Sequence, residues 1–206
     1  MKTFIKTLSL ILLTLILNNC DTTNPIINEN ADDSFVVKGS IEDWNYPNDM
    51  ELILGVYMDN EFYNFESTPI TIDGTFNFNF SALDEQDFIP IVEIEDISNN
   101  SSLIISNPNA KGILASFYIS NQENNIPIEI LNHRLDLSGE SVNVYQIDFV
   151  FCNDKIDITG EIVENNVSKF YNLHFNKGWN KRVVKFINEN EITSVEPVGY
   201  KWLLGN

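Results

Sequence analysis

The residues that could do chemistry are few and far apart. His133 and His174 each stand alone, and the signatures G-x-S-x-G, H-E-x-x-H, C-x-x-C and the phosphate-binding P-loop are absent from the sequence. His174 sits between Leu173 and Phe175 in a strand-like run, where alternation turns it to the opposite face, toward solvent. A His/Asp/Ser relay would have to be assembled in space, since no local signature marks one. Asp84, Glu85 and Asp87 cluster without the D-x-[DN]-x-[DN]-G spacing of a calcium loop, so they read as a solvated acidic loop. No catalytic residue, metal or cofactor is assigned, and the chain reads as a protein that is not an enzyme.

Two aromatic residues are better placed to touch a ligand. Trp44 and Tyr46 lie in Asp43-Trp44-Asn45-Tyr46-Pro47-Asn48-Asp49, a polar loop containing a proline. A ring there could stack on the C–H face of a sugar while neighbouring amides bond its hydroxyls. The competing reading is that Trp44 folds back and plugs the end of a sandwich, as the high average burial of tryptophan favours. Trp179, between Gly178 and Asn180, has the same two readings, with burial favoured by the tight turn around it.

Of the two cysteines, Cys152 ends the apolar run 149–152 and reads as a small buried hydrophobe, with no adjacent base to activate it. Cys20 is different. Lys2 and Lys6 precede the apolar residues 8–17, a charged n-region and a short h-region. Ten residues rise only about 15 Å as a helix, half of a hydrocarbon core of roughly 30 Å. A secretory signal is therefore expected rather than a spanning helix. No A-x-A-like cleavage site follows; Leu17-Asn18-Asn19-Cys20 does. That arrangement resembles the bacterial lipobox, with Asn19 where the pattern carries Gly, Ala or Ser. The resemblance implies that Cys20 takes a diacylglyceryl group and becomes the first residue after cleavage, so that acyl chains hold the protein on a membrane of the cell envelope.

The charge balance excludes one class of partner. Lys and Arg total 12 against 30 Asp and Glu, for a formal charge of −18, and removal of residues 1–19 would take away two lysines and no acid. So negative a surface repels phosphate backbones and anionic headgroups, so nucleic acid is not an expected partner and the anchor, not electrostatics, would hold the membrane.

Residues 20–33, rich in Asp, Asn and Thr, read as the lipidated cysteine and a flexible tether. Beyond them, short apolar or alternating runs punctuated by Asn, Asp, Gly and Pro predict strands over 36–41, 52–58, 70–72, 75–80, 89–95, 113–119, 142–152, 156–163, 170–175 and 182–187. Phe76, Phe78 and Phe80 alternate with Asn77 and Asn79, which puts three rings on a core face, and Asp73-Gly74 predicts a hairpin between 70–72 and 75–80. The expected fold is an all-β antiparallel sandwich. The polar stretch around Asn99 suggests two small sandwich domains, 34–98 and 99–206, after a signal peptide over 1–19.

Short motifs add a resemblance. Val37-Lys38-Gly39-Ser40-Ile41 and Asp73-Gly74-Thr75-Phe76 look like openings of strands in small seven-strand sandwich modules of bacterial envelope proteins. Lys177-Gly178-Trp179-Asn180 and Lys201-Trp202 resemble the later part of uncharacterised bacterial cell-envelope lipoproteins. The likeness implies location and fold, not activity. The expected role is a noncatalytic binding or accessory module of the envelope with a protein or glycan partner; the alternative is a glycan-binding surface lipoprotein using Trp44 and Tyr46.

Overall fold

The run Ile147-Asp148-Phe149-Val150-Phe151-Cys152 is apolar at both parities, which a strand with one solvent face cannot satisfy. In the computed structural model that strand has no solvent face. The structure describes residues 35–46, 49–58, 60–84, 88–97, 102–121, 127–137, 141–164, 167–187, 189–196 and 200–204 (for 127–137, 141–144, 187, 189 and 190 the backbone); Cys20 and the segments 1–19 and 20–33, expected as signal and tether, lie outside them. The chain is an all-β sandwich, with fourteen strands and one short helix among the described residues.

A two-stranded sheet of β1 (Val36–Ser40) and β4 (Thr75–Asn79) packs on a large sheet. The large sheet is ordered β3 (Glu61–Pro69), β2 (Met50–Met58), β7 (Lys111–Asn121), β8 (Pro127–Leu137), β9 (Ser141–Cys152), β12 (Gly178–Ile187), β13 (Glu189–Thr193), β11 (Val167–Phe175), β10 (Ile156–Glu164), β6 (Leu103–Ile105). Two short strands flank this path: β5 (Ile89–Pro90) pairs with β7, and β14 (Lys201–Leu204) pairs with β8.

The first core fills the space between the sheets. Phe76, Phe78 and Phe80 point into it as their alternation predicts, while Asn77 and Asn79 are exposed. They meet Leu52, Leu54, Phe117, Ile147, Phe149 and Val183 of the large sheet. Ring centroids of Phe117 and Phe149 lie 4.5 Å apart, and those of Phe78 and Phe117 5.0 Å apart, within the range of favourable aromatic pairs. Trp202 of β14 closes one end. Its ring packs so tightly on Gly39 that a Cβ there would fall 2.4 Å from the indole, so the glycine of the 37–41 motif is a site of close approach. The Trp202 carbonyl also accepts the Glu42 backbone N–H at 2.8 Å, so β14 ties the two sheets together.

The second core lies on the other face of β9 and β12. Val150, Cys152 and Val184 join Ile156, Ile158, Tyr171, Leu173, Phe175 and Ile192, with Ile91 and Val92 above them. The sheet curves around this cluster. Ile91 and Val92 belong to a single turn of helix, α1 (Ile91–Ile94), where residues 89–95 are expected as a strand from sequence. Pro90 cannot donate a ladder hydrogen bond, so β5 stops there, and the turn carries Glu95 inward.

Two further expectations are corrected. Asp73-Gly74 makes a tight turn, with the Thr71 N–H donating to the Thr75 carbonyl at 3.0 Å, but not a hairpin: β4 pairs with β1, and the preceding strand β3 pairs with β2. The turn is a corner at which the chain leaves the large sheet for the small one. The soft boundary between 34–98 and 99–206 separates no domains, because β2 pairs with β7 across it, the first core draws on both halves, and Ser34–Asn206 forms one compact unit.

Running β9 between two cores leaves Asp148 inside. Its neighbour across the ladder is Arg182, whose guanidinium donates to Asp148 at 3.0 Å and, through Nε and Nη2, to both oxygens of Glu95 at 2.7 and 3.0 Å. Ser116 adds a fourth bond, to Asp148 at 2.7 Å. The side chains are 14% (Arg182), 0% (Glu95) and 2% (Asp148) exposed. Two buried carboxylates around one cation survive only while that cation is present. Arg182→Met should therefore lower the stability by about 3–5 kcal/mol, read as a lower urea midpoint, whereas a change under ~1 kcal/mol would mean the cluster is not held together this way.

Tyr171 beside this cluster has its phenol pushed up to about 12, first by burial and then by the Glu95 charge. The folded protein thus holds that proton more tightly than the unfolded chain does. The stabilisation is complete below the ordinary tyrosine value of 10.0 and is lost as pH rises towards about 12. Urea midpoints followed from about pH 9 to 12 should fall more steeply for the native protein than for Tyr171→Phe.

Candidate functional site

The small sheet covers only part of the large one. Beyond its edge the outer face of β10 and β11 carries Asp157, Thr159 and Glu161 opposite His174, Asn172 and Phe170. At the step between the covered and the bare part lies an open cleft of about 420 Å³, lined by Phe35, His174, Asn176, Trp179, Asn180, Lys181, Ser194 and Glu196.

One wall is aromatic. Phe35 and Phe80 meet edge to face at 4.9 Å, and Trp179 stands against Phe80 and Phe151 at 5.1 and 5.3 Å. The Trp179 indole N–H donates to the Ser81 carbonyl at 2.6 Å, which fixes the ring to the segment after β4 while it remains half-buried. The turn that delivers it depends on two neighbours. Gly178 has φ +95°, in the left-handed region glycine adopts without strain. The buried Asn180 amide bonds the backbone N–H and carbonyl of Asn176 at 2.9 and 2.8 Å and the Gly178 carbonyl at 2.8 Å.

The other wall is polar. Lys181 and Glu196 form an ion pair at 2.5 Å, and the Tyr200 hydroxyl bonds the same carboxylate. The Ser194 hydroxyl oxygen accepts the His174 backbone N–H at 3.1 Å. His174 is exposed, as its alternation predicts. Its Nδ1 faces Asp157 at 2.8 Å and its Nε2 faces the Asn172 side-chain oxygen at 3.0 Å. Half of a relay is thus present: a carboxylate orients the ring. The nitrogen that would receive a nucleophile's proton is engaged by Asn172, and Ser194 binds the backbone rather than the ring.

Trp44 and Tyr46 sit elsewhere. Both are half-buried against the first core, with ring centroids 5.0 Å apart at 41°. Trp44 lies over Gly74, and its buried indole N–H has no hydrogen-bond partner among the described residues. Cys152 is buried, and its thiol is pushed up to about 12 by burial and then by Glu95, which suppresses the reactive thiolate. Asp84 is exposed; Glu85, Asp87 and the His133 side chain lie outside the described residues. Among the described residues no three of His, Cys, Asp or Glu form a metal-holding group, and no helix is long and apolar enough to cross a membrane.

Sequence reasoning missed Phe35, Asn176, Lys181, Ser194 and Glu196. A signal for some of them existed, because Lys181 shares the parity of the inward Val183 on β12, which sets it on the outer face beyond the first core. No family model, curated protein or solved structure matches the chain.

Asn180→Ala removes bonds to three backbone groups of the 176–178 turn without touching the Trp179 ring. It should cost about 2 kcal/mol in chemical unfolding and change the Trp179 fluorescence maximum. An unchanged midpoint and spectrum would show that the turn holds its shape by other means.

Proposed function

We infer that the protein is a noncatalytic binding or accessory module of the bacterial cell envelope, lipid-anchored through Cys20. The observation that carries the binding part is the cleft at the step between the two sheets, where aromatic rings meet amide, hydroxyl and paired charged groups on β12 and just past the ends of β11 and β13. The engagement of His174 by Asn172 supports binding over turnover. The anchor rests on the charged start, the short apolar segment and Cys20, which together resemble a lipoprotein signal. The strongly acidic chain favours an envelope protein or a glycan over nucleic acid as partner.

A second reading, a glycan-binding surface lipoprotein using Trp44 and Tyr46, has less support in the geometry, because both rings are half-committed to the first core. The cleft at Trp179 offers the same chemistry in a more open place.

The anchor is tested by mass spectrometry and membrane fractionation of the full-length protein beside Cys20→Ala. The native chain should give a mass that starts at Cys20 with acyl chains added and should sediment with membranes, while the variant should be unlipidated and released. Two proteins that fractionate alike, neither carrying lipid, would sink the anchor and reopen the compartment.

A further inference from the structure

We propose that the cleft between Trp179 and Ser194 is a subsite for a neutral saccharide; the proposal rests on the binding-module reading above and names the ligand class for its site.

A sugar presents two chemistries at once: C–H faces that prefer an aromatic surface, and hydroxyls that need donors and acceptors at fixed positions. The cleft supplies both across one gap. Phe35 and Trp179 form the apolar wall. Asn176 also lines the cleft and is exposed, and among the described residues no group bonds its side-chain amide, which leaves a donor and an acceptor for hydroxyls. Ser194 spends a lone pair on the His174 backbone N–H and keeps its own proton to donate.

The charges select the kind of sugar. Lys181 and Glu196 neutralise one another at 2.5 Å, and His174 is flanked by the Asp157 carboxylate. Among the residues that line the cleft no unpaired lysine or arginine remains to bind a uronate, sulfate or phosphate, and a chain of formal charge −18 repels such groups at a distance. The volume of about 420 Å³ lies within the range of small-molecule sites, and the cleft is open to solvent. Trp179 is also prepared to bind: its indole N–H is held by Ser81, so little ring motion is lost when a ligand stacks.

The test uses the full-length protein in a detergent without a sugar headgroup, titrated with cellobiose, maltose and diacetylchitobiose and followed by calorimetry and intrinsic fluorescence. At least one of these neutral disaccharides should bind saturably. Binding should weaken about tenfold in Asn176→Ala, the size of one hydrogen bond, weaken likewise in Trp179→Phe, and be unchanged in Trp44→Phe. Absence of saturable heat with all three sugars overturns the proposal, as does binding that survives both cleft variants. Binding lost only in Trp44→Phe would move the sugar to the 43–46 loop, removing this subsite while leaving the binding-module reading in place. Cleavage of the disaccharide, slowed in Asn176→Ala, would keep the subsite and end the noncatalytic reading.

Discussion

Residues 147–152 of β9 and 183–184 of β12 are buried on both faces, and most of the structure answers to that. A one-faced sheet can put its polar residues in water; here Phe149 and Val183 serve one core while Val150 and Val184 serve the other. Any polar side chain on these strands must find its partner inside. Asp148 and Arg182 do so by standing directly opposite each other, and Glu95 completes the cluster from the turn after α1. Satisfying one buried cation therefore gives the turn that Pro90 begins a second task, bringing Glu95 inward beside the second core.

Patterns of short range were legible in the sequence, and patterns of long range were not. The alternation at Phe76, Phe78 and Phe80 identified a core face because a strand buried on one side has a period of two. The strand β3 went unseen because its mixed composition, with Glu61, Asn64, Glu66 and Pro69, suits a sheet edge and carries no clean alternation. The Asp73-Gly74 turn was legible, but its partners were not: the same turn chemistry serves a hairpin or a corner, and only the packing of β4 on the first core decides. The supposed boundary near Asn99 failed similarly, since local polarity is silent about a ladder joining β2 to β7.

The candidate site shows the same division. Trp179 and its turn residues were visible as a motif, because Gly178 and Asn180 act within a few residues of the ring. The opposite wall comes from the end of β11 and the segment after β13, and a parallel pairing of those strands brings them together. Sequence spacing cannot announce such a meeting. What builds the cleft is a mismatch in width: two strands lie over a sheet several times broader, and the edge of the narrow layer leaves a ledge.

The position of Trp202 has a consequence for how the molecule comes into being. A chain synthesised or threaded from its amino terminus exposes Gly39, Phe76 and Phe117 long before residue 202 arrives to cover them. Until then the first core has an open end lined with aromatic rings, the kind of surface that holds chaperones and sticks to its own copies. Because Trp202 is what covers that end, completion of the first core waits on a residue that emerges after nearly all of its partners.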